Sequence, residues 1–189
     1  MIKIANFLIL ISIVILGFIF WPVTKEEIKY QTNRISENGG ELVPSDKDFS
    51  IVIPSIYAVA PIYKNIDPFN KNEFLPVLRK GIAHAKGTAL PNETNGNVYL
   101  FAHSTDSLLN VGRYNAVFYL IGKLEKEDEI KIYYNDIEYI YRIIDKKVVN
   151  ADDTQYLIKN NNDKILTLQT CYPPGTTLKR LIVIAKFDK

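Results

Sequence analysis

The chain has 189 residues, 47% hydrophobic and 23% charged, a composition that suits one folded domain with an appendage and excludes a wholly disordered protein. Its 23 basic and 21 acidic residues leave a net charge of +2, far below the basic excess expected of a nucleic-acid-binding domain. One cysteine and two histidines exclude an internal disulfide and a structural zinc site built from Cys and His.

The N-terminal segment is strongly apolar. Residues 4–21 form a run of 18 residues without a charge, enough at about 1.5 Å per helical residue to cross most of a hydrocarbon layer of roughly 30 Å. Bulky Phe18, Phe20 and Trp21 stand where signal cleavage requires small residues, so we expect residues 1–21 to be an uncleaved membrane anchor. The charges around this run favour a cytoplasmic N-terminus, which leaves the rest of the chain outside the cell membrane.

A polar connector is expected after the anchor. Residues 22–46 carry several charges, the sequence Asn38-Gly39-Gly40 and few clustered apolar residues. We interpret them as a stalk, partly helical over residues 24–36, that carries the folded part away from the membrane. Residues 47–189 are then expected to form one domain, and their number is sufficient for a single core.

Short runs of aliphatic, aromatic and β-branched residues dominate this domain and predict strands. The predicted strands are residues 49–53, 56–62, 98–102, 129–134, 137–144, 165–170 and 178–187. Asn135-Asp136 predicts a tight hairpin between two of them. Residues 73–80, which stop at Gly81, and residues 114–124, whose apolar residues recur at helical spacing, predict two short helices. The pattern indicates an all-β domain, either a sandwich or a barrel.

Cys171 stands where a predicted strand ends and a Pro-Pro-Gly loop begins. Most free cysteines are small buried hydrophobes, but an exported, unpaired thiol is a liability unless its reactivity is used. Arg180 enters an apolar strand, either as a solvated or paired charge or as a donor to a substrate oxygen beside Cys171. His103 follows one predicted strand and His84 follows a predicted helix, and spacing alone does not select between them.

The motif TLQTC at residues 167–171, with Arg180 in RLIV, resembles the signature of the sortases, the cysteine transpeptidases of Gram-positive-type cell surfaces. Upstream segments are similar to successive blocks of that family in the same order, namely IVIPSI, API, GIAHAKGTALP, GNVYLFAHS and FYLIGKLEKEDEIKIYY. The resemblance covers about residue 47 to the end of the chain. It implies a closed β-barrel with short helices.

The resemblance also implies the site and the reaction. Cys171 carries over as the nucleophile, His103 as the general acid and base, and Arg180 as the donor to the oxyanion. His84 resembles a histidine near the cleft with a supporting role, and His84 and Thr170 are candidate substrate-binding residues. The implied reaction is cleavage of an LPxTG-like sorting signal, with transfer of the acyl group to an amine of a cell-wall precursor or a protein lysine. No cofactor or metal is expected.

The sequence also bears on the subclass and on three alternative functions. Asp67-Pro68-Phe69 superficially resembles the lid motif of pilus-building class C members, but it follows IVIPSI, so we expect a turn there and a chain closer to the housekeeping or class D and E types. An L,D-transpeptidase has its His and Cys in one motif, whereas here they are 68 residues apart. A papain-like protease has Cys before His. The non-enzymatic alternative is a membrane-tethered β-domain that binds a cell-wall component or a protein.

Overall fold

The computed structural model describes residues 2–35, 42–104, 117–157 and 162–189. Within these residues a long helix, α1 (Ile2–Ile35), precedes a β-rich domain that also contains α2 (Lys71–Leu78). The strands are β1 (Phe49–Ile53), β2 (Ala58–Ile66), β3 (Ile82–Ala85), β4 (Gly96–Phe101), β5 (Glu129–Tyr134), β6 (Ile137–Asn150), β7 (Lys164–Tyr172) and β8 (Lys179–Phe187). Short 3-10 turns lie at Pro54–Ile56, Ile121–Lys123 and Gln155–Leu157.

The strands close into a barrel in the order β1-β2-β3-β4-β7-β8-β6-β5. The pairs β2/β3 and β4/β7 are parallel, and the other neighbours are antiparallel. Within the described residues, closure pairs every strand on both sides and leaves no open sheet edge. The expected closed β-barrel is therefore confirmed. The part of this order that matters for the site is the run β4-β7-β8, because it places three distant segments side by side.

Alternate residues of the strands fill the barrel interior, because successive side chains of a strand point to opposite faces. Fully buried aliphatic residues dominate this core, among them Ile51, Ile53, Ile82, Leu100, Ile130, Ile132 and Ile143. A second, smaller apolar cluster contains Leu78, Ala83, Ala85, Tyr99 and Phe101, with Phe74, Val77, Tyr156 and Leu157 packed against it. Since Leu100 belongs to the interior core, Tyr99 and Phe101 point to the outer face of the barrel. We call the second group the outer cluster.

Several predicted elements are observed with the expected bounds. Strands β1 and β5 begin and end at the predicted residues. The predicted hairpin is also confirmed, with Asn135 and Asp136 in the left-handed region at φ 50° and 64°. β6 continues six residues beyond its predicted end, through a polar stretch that pairs with β8. β3 was not predicted, because two of its four residues are alanines, which have low strand propensity.

The predicted helix over residues 114–124 is wrong where the structure describes it. Residues 117–120 form turns, and Ile121–Lys123 is a single 3-10 turn; residues 114–116 lie outside the described residues. Phe118, Ile121 and Leu124 are all fully buried in the barrel core. Their spacing of three residues matches the three residues per turn of a 3-10 conformation. The apolar pattern therefore indicated which residues are buried, but not that they form an α-helix.

The region before α2 agrees with the sequence interpretation. A turn closes from the amide of Asn70 to the carbonyl oxygen of Asp67 at 3.2 Å, and the Asn70 side chain then caps the helix by accepting from the amide of Asn72. The helix lies two residues earlier than predicted, at Lys71–Leu78. Asp67-Pro68-Phe69 is thus the turn before α2, as expected.

Helix α1 includes the predicted anchor and most of the part of the stalk that was predicted to be helical. Considering only those residues that the structure describes, none of its helices has the length and apolar character needed to cross a membrane. Glu27 of α1 forms an ion pair with Lys123 of the barrel domain. The membrane anchor and the domain boundaries at residues 21 and 46 stay predictions.

Candidate active site

Cys171 and Arg180 lie directly opposite each other in the antiparallel pair formed by β7 and β8. On β7, Leu166 and Leu168 belong to the interior core, so Cys171, an odd number of positions away, points to the outer face. Cys171 is half-buried and is a free thiol. Residues that face each other on adjacent strands share a face, so the Arg180 side chain extends from the same outer surface.

His103 follows β4 directly, and the β4/β7 pairing brings it to the same end of the sheet. The two strands run parallel, with Phe101 opposite Gln169. Beyond that pair, the amide of Ala102 donates to the carbonyl oxygen of Gln169 at 3.1 Å. Two residues beyond that pair, His103, just past the end of β4, lies level with Cys171, which is still part of β7. The structure therefore brings the three predicted catalytic residues to the adjoining ends of β4, β7 and β8.

The Arg180 guanidinium is hydrogen-bonded to backbone carbonyl oxygens at the start of β8 and in the loop before it. Its Nη1 donates to the carbonyl oxygens of Thr177 at 3.1 Å and of Lys179 at 3.0 Å. Among the described residues its other nitrogens have no hydrogen-bond partner, and it forms no ion pair. Arg180 is thus oriented by backbone oxygens, while its other N–H groups stay available to donate hydrogen bonds to a negatively charged oxygen.

The surroundings of Cys171 oppose ionisation of its thiol. Burial raises the pKa of Cys171, and the positive charge of Arg180 only partly offsets this increase. At neutral pH the resting side chain is therefore the thiol rather than the thiolate. Nucleophilic attack then depends on a group that removes the proton, and His103 is the histidine that the fold brings to this end of β7.

His84 lies inside the protein and is fully buried. Its Nε2 donates to the carbonyl oxygen of Ala89 at 2.9 Å, and its Nδ1 accepts from the amide of Asn65 at 3.4 Å. Its ring also packs against Phe49, with centroids 5.8 Å apart. Burial lowers the pKa of His84, so the ring is neutral. The structure places His84 in the interior, on β3, and not beside Cys171; its supporting and substrate-binding roles stay predictions.

Thr170 is also buried, with its side chain on the interior face next to the outward-pointing Cys171. Its hydroxyl donates to the carbonyl oxygen of Ala102 at 3.0 Å, across the β4/β7 pair. This bond fastens the residue before His103 to the residue before Cys171. Thr170 is therefore placed to hold the two predicted catalytic residues in register, and its predicted contact with substrate stays a prediction.

The sequence interpretation missed a set of polar residues on the outer face of β4 and β7. The Tyr99 hydroxyl donates to Oε1 of Gln169 at 2.5 Å, and the Thr167 hydroxyl donates to Oδ1 of Asn97 at 2.8 Å. Nδ2 of Asn97 in turn donates to the carbonyl oxygen of Tyr156 at 2.7 Å. The alternation of polar with aliphatic residues in NVYLF and TLQT could have indicated that these polar side chains share one face of the sheet. It could not have indicated which of them bond to each other, because the partners are 59 and 70 positions apart in the sequence.

No group of three or more His, Cys, Asp or Glu side chains is placed to hold a metal ion in the part of the chain that the structure describes.

The chain is similar to proteins of one family. The family model described as "Sortase domain" matches residues 51–188. "Sortase D" of Bacillus subtilis is 32% identical over 137 residues, which are 71% of this chain but only 60% of that relative. The chain thus spans less than two thirds of that relative's length. "Sortase A" of Listeria monocytogenes is 26% identical and is covered over 90% of its length by 96% of this chain.

Solved structures give the same result. A sortase D5 transpeptidase of Clostridium perfringens is 31% identical, with a TM-score of 0.62 over 87% of this chain and 89% of that chain. A sortase A of Corynebacterium diphtheriae is 26% identical, with a TM-score of 0.63 over 84% of this chain and 68% of that one. Sortase C of Clostridium perfringens, solved with the C-terminal cell wall sorting motif, is 26% identical with a TM-score of 0.63 over 90% and 89%.

Proposed function

The chain belongs to the sortase family, and we propose that it is a membrane-anchored cysteine transpeptidase of the cell surface, of the class D type. It cleaves an LPxTG-like sorting signal between Thr and Gly and transfers the acyl part to an amine. The amine belongs to a cell-wall precursor or to a protein lysine. Support for the substrate class comes from a related sortase C, which is solved with a cell wall sorting motif.

The chemistry proceeds in two acyl transfers. Sγ of Cys171 attacks the Thr carbonyl carbon, and its proton passes to His103. The C–N bond to Gly then breaks, the departing amine takes a proton from His103, and a thioacyl bond to Cys171 remains. The acceptor amine attacks this thioester, His103 removes the amine proton, and the sulfur leaves as a thiolate that takes this proton from His103. Arg180 stabilises the negative charge that develops on the carbonyl oxygen in both transfers.

One observation carries this assignment. Cys171 and Arg180 face each other across β7 and β8, while Thr170 bonds to the residue that precedes His103. This arrangement of Cys171 and Arg180 on neighbouring strands, with His103 just beyond the end of β4, supports the proposed roles of nucleophile, oxyanion donor and proton carrier. Catalytic groups held by backbone ladders keep the geometry that acyl transfer needs.

The decisive test is an assay of the full chain with an internally quenched LPxTG-type peptide and triglycine. We expect peptide cleavage, a triglycine adduct, and a thioacyl form of Cys171 that is detected by intact-mass spectrometry. Cys171→Ala should fold, as judged by its circular dichroism spectrum, and should give none of these products. Cleavage that persists in Cys171→Ala would remove the proposed nucleophile. If the wild type binds a cell-wall component but neither cleaves the peptide nor forms the triglycine adduct, the non-enzymatic alternative is favoured.

Anchoring is a separate part of the proposal. The uncharged run at residues 4–21 would hold the enzyme where its substrates and acceptors are also found, with the catalytic domain outside. The full chain should stay with the membrane fraction after alkaline carbonate extraction, and protease added to intact protoplasts should digest the domain. A chain without residues 1–21 should be released. Extraction of the full chain by carbonate would contradict the anchor without affecting the catalytic assignment.

A further inference from the structure

Gln169 lies two residues before Cys171 on the same outer face of β7. Two residues of a strand cover about 7 Å, so the Gln169 side chain lies one pleat from the nucleophile. Gln169 is half-buried and stands opposite Ile182 of β8, which is two residues from Arg180. A substrate that runs along the outer face of β7 from Cys171 toward the start of the strand therefore passes over Gln169.

Tyr99 fixes the orientation of the Gln169 amide. The Tyr99 hydroxyl is 2.5 Å from Oε1 of Gln169, a separation typical of a short O–H···O bond and too short for a usual N–H···O bond. Burial raises the pKa of Tyr99, so its hydroxyl keeps the proton that it donates. The side-chain oxygen of Gln169 thus accepts the hydrogen bond from Tyr99, and the side-chain amino group of Gln169 points away from Tyr99. Among the described residues this amino group has no hydrogen-bond partner.

The outer surface beside Cys171 therefore presents donors. The amino group of Gln169 and the free nitrogens of Arg180 donate and cannot accept. The matching ligand group is an acceptor oxygen. In an extended peptide, main-chain carbonyl oxygens two residues apart point to the same side, with the same spacing of about 7 Å that separates Gln169 from Cys171.

We propose that the amino group of Gln169, held in place by Tyr99, donates a hydrogen bond to a main-chain carbonyl oxygen of the sorting signal. The acceptor is the carbonyl two residues N-terminal to the one that Cys171 attacks, in the acyl part of the signal, which is bound to Cys171 between the two transfers. Gln169 is then a substrate-binding residue, and Tyr99 is a positioning residue that acts through Gln169. This inference rests on the proposed function and names a binding contact within it.

The test is a comparison of kcat and KM for the quenched peptide between the full-length wild type and its variants. Gln169→Leu should raise KM about tenfold with kcat within about twofold, the loss expected for one neutral hydrogen bond. Gln169→Glu, which accepts but does not donate, should lose at least as much. Tyr99→Phe should raise KM less, and should add nothing to the effect of Gln169→Leu in the double variant. Tyr141→Phe, which removes a buried hydroxyl from the barrel interior, is the matched control and should leave KM unchanged.

A second measurement separates binding from turnover. The peptide's dissociation constant for Cys171→Ala should rise about tenfold when Gln169→Leu is added. A thioamide at the proposed carbonyl, which accepts hydrogen bonds weakly, should raise KM for the wild type but not for Gln169→Leu. An unchanged KM in Gln169→Leu, or a fall in kcat alone, overturns this inference. The proposed function still stands in that case if the wild type cleaves the peptide and transfers the acyl part. A wild type that neither binds nor cleaves the peptide overturns both.

Discussion

Cys171 and Arg180 occupy one rung of the antiparallel ladder between β7 and β8, so their separation is determined by the ladder rather than by the loop that connects the strands. Paired Cα atoms in such a ladder lie about 4.5–5.5 Å apart, and both side chains leave the same face. The Arg180 guanidinium also bonds to the carbonyl oxygens of Thr177 and Lys179. The position of the positive charge of Arg180 is thus determined by the strand pairing and by the two backbone carbonyl oxygens that the guanidinium bonds to.

Arg180→Lys should lower kcat/KM about 100-fold to 1,000-fold although it keeps the positive charge. An ammonium has no planar fork, so it cannot bond to the loop carbonyls and to an oxyanion in the same way, and the loss of one such donor typically has this size. Steady-state kinetics with the quenched peptide measures the change. Lys179→Arg, at an exposed neighbouring position, should remain close to the wild type. Near-normal turnover in the Arg180→Lys variant would exclude the assigned role of Arg180.

The thiol of Cys171 should titrate above the ordinary cysteine pKa of about 8.5. Burial raises its pKa and Arg180 lowers it in part, so the thiolate fraction is small at neutral pH and increases as the pH rises. The rate of alkylation by iodoacetamide should therefore keep increasing above about pH 8.5. In Arg180→Gln the midpoint of this profile should move to still higher pH, because the offsetting charge is gone. A plateau already reached below neutral pH would contradict this account.

His84 should make the folded state less stable in mild acid. Burial lowers its pKa in the folded protein, so below the ordinary His pKa of about 6.5 the unfolded chain binds a proton that the folded chain does not. The free energy of unfolding should then fall as the pH decreases below about 6.5, by at most about 1.4 kcal/mol per pH unit. Urea unfolding of the full chain between about pH 7.5 and about pH 5.5 measures this slope.

The variant His84→Gln provides the control for that slope. Glutamine can still donate and accept hydrogen bonds but does not titrate, so the acid-dependent part of the unfolding free energy should be smaller than in the wild type. An equal slope in both proteins would show that other groups carry the pH dependence.

Tyr141→Phe should stabilise the protein by about 1 kcal/mol. The ring of Tyr141 is fully buried and packs edge-on against Phe187, with centroids 5.6 Å apart, but its hydroxyl has no hydrogen-bond partner in the described part of the chain. Removing an unsatisfied buried hydroxyl relieves its desolvation cost and keeps the ring contacts. Urea midpoints measure the effect. Tyr99→Phe, which loses a hydroxyl bonded to Gln169, should destabilise, and the same sign in both variants would contradict the explanation.

The sequence determined the local elements and the family. Short runs of aliphatic, aromatic and β-branched residues predicted β1 and β5, and Asn135-Asp136 predicted the hairpin, because a two-residue turn and a short strand depend on neighbouring residues. The TLQTC block and the preceding blocks indicated the sortase family. The helical spacing of the apolar residues in 114–124 was misleading, since burial at every third residue, as at Phe118, Ile121 and Leu124, also occurs in consecutive tight turns.

Only the tertiary structure decided which residues meet. His103 reaches the level of Cys171 because β4 lies parallel to β7, and Tyr99 meets Gln169 across 70 positions for the same reason. His84 and His103 could not be distinguished by sequence spacing, but His84 faces the core, whereas His103 lies just beyond the end of β4, next to the end of β7 that carries Cys171. The physical reason is that barrel closure and strand register depend on the packing of all eight strands together, whereas the sequence pattern reports only the face that each residue prefers.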